Sequence, residues 1–76
     1  MQSLIWSQNQ EQYIWSDEIV KIIIFSVLDL QAYVVRAYHD DGDSVPLAQF
    51  GTKLDALSFV AQTMSEINQV IPIDVL

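Results

Sequence analysis

The sequence predicts an α+β fold. We expect an antiparallel β-meander packed on one face by a single C-terminal helix, with three strands, or four or five if the N-terminal arm joins the sheet. Residues 18–28 are rich in β-branched side chains, two further strand-like runs flank a segment of turn residues, and apolar residues recur at helical spacing near the C-terminus. At 76 residues, the chain is predicted to form one domain, 1–76.

Residues 18–27 are predicted to form the central strand. In a strand, alternate side chains point to opposite faces. One face would then carry Val20, Ile22 and Ile24, and the other Ile23, Phe25 and Val27. A helix capped by Ser16 is the alternative, but six of the nine residues 19–27 are β-branched, which favours a strand. Such a strand needs cover on both faces, and the sequence offers one clear helix, so we expect self-association to supply the second cover.

Two further strands are predicted at 32–39 and 45–50, after a turn at 28–31. The segment 40–44 between them is dense in turn residues and has Asp-Gly at its centre, which is typical of a hairpin. Pro46 has no N–H to donate to a neighbouring strand, so the last strand is expected at an edge or with limited pairing.

The helix is predicted at 53–70. Thr52 is a candidate N-cap that forms a capping box with Asp55, and Pro72 disfavours helical structure at the residue before it. The predicted apolar stripe consists of Leu54, Leu57, Val60, Ala61, Met64, Ile67 and Ile71.

The N-terminal arm has two short apolar segments, 5–7 and 14–16, around the polar stretch 8–12, which indicates a hairpin. The arm either adds one or two strands to the sheet or wraps its other face. Trp6 and Trp15 would then close that face as core residues or anchor an interface, where tryptophan is favoured.

Composition narrows the possible partners. Three Lys and Arg against ten Asp and Glu give a net charge of −7, which argues against binding nucleic acid or an anionic membrane surface. The chain has no cysteine, which excludes disulfides and thiolate metal sites, and no apparent signal peptide, so we expect a cytoplasmic protein. Domains of this size often need oligomerisation for stability.

No set of residues predicts catalysis. The cluster 39–43 lacks the spacing of a calcium-binding EF-hand, and a solvated turn explains it better than a metal site. His39 could pair with Asp29 or Asp55 as an acid and a base, but nothing in the spacing brings them together. Arg36 is expected to pair with a carboxylate on a neighbouring strand rather than to bind an anionic ligand.

The sequence therefore favours a small non-enzymatic cytoplasmic adaptor or regulatory module, without cofactor, that acts as a homodimer and contacts another protein. Its interface candidates are Trp6, Trp15, Ile23, Phe25 and Val27. One alternative is an acidic inhibitor that mimics nucleic acid and binds a basic protein. Another is a protein that binds a small ligand or a divalent metal at the 39–43 turn.

Overall fold

Two β-sheets and one α-helix make up the part of the chain that the structure, a computed structural model, describes, residues 3–76. The elements in chain order are β1 (Leu4–Trp6), β2 (Tyr13–Trp15), β3 (Lys21–Val27), β4 (Ala32–Tyr38), β5 (Ser44–Phe50), α1 (Lys53–Ile67) and β6 (Ile73–Val75). The mixed α+β class is confirmed. The strand layout is confirmed in part, because β1 and β2 form a separate two-stranded sheet and the main sheet has the order β5-β4-β3-β6.

The central segment is a strand, as predicted, and not a helix. It begins at Lys21 rather than at residue 18, because a short 3-10 helix, Ser16–Glu18, precedes it. Val20 therefore lies outside the strand and is exposed. Ile22 and Ile24 are fully buried towards α1, where burial of such side chains stabilises the fold by about 2 kcal/mol each.

The strand β6 was not predicted. It runs parallel to β3, with Ile22 opposite Ile73 and Ile24 opposite Val75. The N–H of Ile22 donates to the Pro72 carbonyl, and the N–H of Leu76 donates to the Ile24 carbonyl, both at 2.9 Å. Because β6 occupies one side of β3 and β4 the other, β3 lies in the interior of the sheet.

The helix α1 begins as predicted, since the Thr52 side chain accepts the Asp55 N–H at 3.1 Å. It ends at Ile67, short of the predicted 70, because Asn68 adopts a left-handed conformation with φ 55° and caps the helix. The predicted apolar stripe is wrong at Leu54, which is 72% exposed, and at Ala61, which is also exposed. Val60 is fully buried, as predicted. Ala56, which was not in the predicted stripe, is also fully buried, since a small side chain there lets the helix approach the sheet closely.

The hydrophobic core lies on one side of the four-stranded sheet. It combines side chains of β3, β4 and β5 with those of α1 and with Ile5 and Ile14 of the N-terminal hairpin. The strands of the hairpin therefore pack on the α1 side of the sheet, while its loop reaches the rim of the other face and lines a hollow there with Val34, Pro46 and Gln49. Its loop also covers the outer edge of β5, where the Gln8 N–H donates to the Leu47 carbonyl at 2.6 Å.

Pro46 lies in β5, which is an edge strand as expected. The pairing of β4 with β5 is irregular between Val35 and Arg36, where β5 has one extra residue. The edge position and this bulge explain how the strand accommodates a residue without an N–H.

Candidate protein interface

The second face of the four-stranded sheet points away from α1 and is largely apolar. Directly opposed residues of neighbouring strands share a face. The register therefore defines this surface, which we call the open face: Lys21, Ile23, Phe25, Val27, Ala32, Val34, Arg36, Tyr38, Ser44, Pro46, Gln49 and Asp74. None of its side chains joins the core cluster on the helix side.

Three of the predicted interface residues meet on this surface. Ile23, Phe25 and Val27 project from alternate positions of β3, opposite Arg36, Val34 and Ala32 of β4. Ile23 is 8% exposed, and Phe25 and Val27 are half-buried. A groove of about 540 Å³ begins at Phe25 and runs along the end of β3.

Two apolar residues of the open face, Ala32 and Val34, were not among the predicted interface residues. Ala32 and Val34 alternate with Tyr33 and Val35 along β4. The period-two pattern that identified both faces of β3 could have found them, but β4 is apolar on both sides, so the pattern alone does not tell which face the helix covers.

Polar groups surround the apolar centre of the open face. The Lys21 ammonium lies 5.7 Å from the centre of the Tyr38 ring, within the range of a cation–π contact. Arg36 Nε donates to Ser44 Oγ at 3.0 Å. The expected carboxylate partner of Arg36 is therefore wrong: within residues 3–76, no carboxylate forms an ion pair with it. Asp74 lies on the far side of Ile23 from Arg36.

The tryptophans lie on a different surface. We call it the aromatic hairpin face; it consists of Leu4, Trp6, Tyr13 and Trp15. Because Ile5 and Ile14 point into the core, the residues that alternate with them point outward. Trp6 is 49% and Trp15 39% exposed, and the Trp6 and Tyr13 rings lie 5.3 Å apart. The tryptophans therefore do not close the open face of the sheet as core residues.

The ionisable residues near the β4–β5 turn meet part of the first 3-10 helix. A hollow of about 290 Å³ is lined by Asp17, Glu18, Val20, His39 and Asp40. His39 Nδ1 lies 4.0 Å from Glu18 Oε2, so the carboxylate nearest to this histidine is neither Asp29 nor Asp55. The Asp41 carboxylate accepts the Asp43 N–H at 2.9 Å. In the described part of the chain, no group of three or more such side chains could hold a metal ion.

No protein-family model, curated protein or solved structure matches the chain. Within residues 3–76, no helix is both long enough and apolar enough to cross a membrane. The two apolar surfaces and the uneven distribution of charge are the features of the molecule that bear on its function.

Proposed function

We propose that this protein is a non-enzymatic cytoplasmic adaptor or regulatory module that works as a homodimer through the open face. The observation that carries the proposal is the row of Ile23, Phe25 and Val27, with Val34 beside it, outside the core cluster. A contiguous apolar surface of this kind commonly marks an interface. The cysteine-free composition fits a reducing compartment.

The distribution of charge supports pairing through the open face. Two of the three basic residues, Lys21 and Arg36, lie on it, whereas the strand register places only Asp74 of the ten acidic residues there. Most of the negative charge therefore lies elsewhere on the molecule. Two copies that approach through other surfaces repel each other, and this repulsion is weakest between their open faces.

The aromatic hairpin face gives the dimer a second surface, for a different protein. Trp6, Tyr13 and Trp15 are exposed, and tryptophan and tyrosine are enriched among the anchors of protein interfaces. Ile5 and Ile14 fix the hairpin to the core, so these rings are held on a rigid base. One surface for self-pairing and another for a partner are what an adaptor requires.

Sedimentation velocity on two matched variants tests the proposal. Phe25→Lys puts a charge at the centre of the open face, and Leu54→Lys puts the same charge on the exposed side of α1. At micromolar concentration we expect wild type and Leu54→Lys to be dimers. Phe25→Lys should weaken the dimer by at least about 30-fold, as loss of a central anchor does. A folded Phe25→Lys variant that remains as dimeric as the control would contradict the proposal.

A second candidate function is that of an acidic inhibitor of a basic protein. The observation that favours it is the approach of Asp17 and Glu18 to Asp40, which extends the negative surface beyond the turn. Binding of this type weakens steeply as salt rises. A basic protein that binds the wild type at low salt and is released by salt would favour it, provided that Asp40→Asn and Asp41→Asn together weaken the binding.

Binding of a small ligand or divalent metal at the 39–43 turn has the least support. The Asp41 carboxylate already accepts a backbone N–H within the turn, and Asp40, Asp41 and Asp43 are exposed. Calorimetric titration with calcium and magnesium tests the metal version, and an absence of heat would remove it.

A further inference from the structure

The open face carries opposite charges on the two sides of its central strand. Asp74 of β6 pairs with Ile23 from one side, and Arg36 of β4 pairs with Ile23 from the other. Adjacent strands lie about 4.8 Å apart, so the two charged residues are placed at equal distances from the axis of β3. Across the three strands, this row therefore has an acidic, an apolar and a basic side chain.

The two neighbouring rows also have a residue of β6 on one side of β3 and a residue of β4 on the other. Leu76 donates its N–H to the Ile24 carbonyl, so it continues the pairing of β6 with β3 and lies beside Phe25. On the other side of Phe25 lies Val34 of β4. At the other end, Pro72 lies beside Lys21, whose neighbour on β4 is Tyr38. Pro72, Asp74 and Leu76 are all exposed.

Two copies can stack with their open faces together, about a two-fold axis that lies between the sheets and runs along β3. This axis would place each residue of β6 over a residue of β4 in the second copy. Arg36 then faces Asp74 of that copy, Val34 faces Leu76, and Tyr38 faces Pro72. Each pair is complementary: an ion pair, two aliphatic groups, and an aromatic ring with a proline ring. Because such an interface uses the same patch on both copies, each of these three pairs occurs twice, whereas each residue of β3 faces its own counterpart once.

Charge discriminates between this axis and the other simple one. A two-fold axis across the strands, through the row of Ile23, would place Arg36 on Arg36 and Asp74 on Asp74, which repel. The axis along β3 replaces both repulsions by attractions. It also sets Lys21 of one copy opposite Lys21 of the other, because residues of β3 lie on the axis. This single like-charge pair is outweighed by the two Arg36–Asp74 attractions, and each Lys21 ammonium already lies near the Tyr38 ring of its own copy. Arg36 is also prepared for this contact, since its Nε is held by Ser44 while the terminal guanidinium nitrogens remain available to a carboxylate.

We propose that two copies of this chain pair face to face about a two-fold axis along β3, with reciprocal ion pairs between Arg36 of one copy and Asp74 of the other. This inference rests on the proposed homodimer and specifies its geometry. It also makes β6, a strand of three residues, part of the recognition surface.

Charge reversal tests the geometry. Arg36→Asp alone brings two carboxylates together at each contact, and Asp74→Arg alone brings two guanidinium groups together, so each variant should be a monomer at micromolar concentration. In a mixture, each contact joins an Asp to an Arg, so the two variants should form a heterodimer of wild-type affinity, within about tenfold. Native mass spectrometry distinguishes the heterodimer from both homodimers.

Three outcomes overturn the inference in different ways. The Arg36–Asp74 contact is wrong if each variant remains a homodimer, or if the two monomeric variants fail to associate when mixed. In either case, a wild-type dimer that Phe25→Lys weakens would still support pairing through the open face. If the wild type is a monomer, the proposed function fails as well. If Arg36→Asp or Asp74→Arg fails to fold, the milder variants Arg36→Gln and Asp74→Asn are used, and each should lower the affinity of the dimer by about tenfold.

Discussion

Left-handed backbone conformations shape several turns at the scale of single residues. In the described part of the chain, φ is positive at Gln10, Gln31, Asn68 and Gly42. Gln31 ends the 3-10 turn before β4, and Asn68 ends α1. Gly42, with φ 94°, lies in the turn between β4 and β5, where the His39 N–H donates to the Asp43 carbonyl. Only glycine adopts such a conformation without steric cost.

The two glycines provide a matched pair of variants. Gly42→Ala should destabilise the protein by about 1 kcal/mol, because alanine is strained at this φ. Gly51→Ala should be neutral or stabilising by up to about 1 kcal/mol, because its φ is not positive and alanine restricts the unfolded chain. Neither new methyl group would meet an atom within 4 Å, so a change in packing does not contribute to the difference between the two variants. Urea unfolding at one protein concentration measures both free energies of unfolding, and equal effects would mean that the backbone conformation of Gly42 does not require glycine.

Several single-residue features were predictable because their causes are local. The Thr52 cap depends on residues within one helical turn, and the Asp-Gly turn depends on the conformational freedom of Gly42. The serine partner of Arg36 was not predictable, since it depends on the register of β4 with β5 beyond the bulge. Pro46 is directly opposite Arg36 in β5, and Ser44 is opposite Tyr38, so the hydrogen-bond partner of Arg36 is set by the tertiary register.

At the scale of elements, the predicted strands could be recognised because runs of apolar residues, with β-branched or aromatic side chains among them, lie between turn residues. The strand β6 could not be recognised in the same way, since three residues after Pro72 are too short to show a period. Its stability comes from hydrogen bonds to β3 and not from its own sequence. The same reasoning applies to the N-terminal hairpin: isoleucine and tryptophan are both apolar, so the sequence did not show which of them faces the core.

Amide hydrogen exchange tests the pairing of β6. The Leu76 N–H donates to the Ile24 carbonyl and should be protected from exchange. The neighbouring N–H of Val75 points to the outer edge, by alternation along a parallel strand, and should exchange much faster. The two adjacent residues control for each other. Strong protection of Val75 would mean that another strand pairs with this edge, which is contrary to the face-to-face dimer proposed here.

At the scale of the whole molecule, the protein has one covered and one uncovered sheet face. The helix α1 and the N-terminal hairpin both pack on the covered side. Which face is left open could not be predicted, because it depends on where the hairpin docks, and that depends on Ile5 and Ile14. The apolar character of both faces of β3 was predictable, and it is this feature that leads to the proposed dimer.

The separation of the two apolar surfaces predicts how the tryptophans respond to dimerisation. Trp6 and Trp15 are the two tryptophans of the chain and lie on the aromatic hairpin face, away from the open face. Acrylamide should therefore quench their fluorescence equally in the wild-type dimer and in the Phe25→Lys monomer. Quenching that is much weaker in the wild type would mean that the hairpin takes part in self-pairing, which would contradict the adaptor arrangement.

The solution mass of the wild-type protein is the simplest test of the proposed homodimer. Light scattering during size-exclusion chromatography at micromolar concentration should give about twice the 8.7 kDa mass of one chain, because a second copy covers the open face. A mass of one chain under these conditions would contradict the proposed dimer and, with it, the pairing of Arg36 with Asp74.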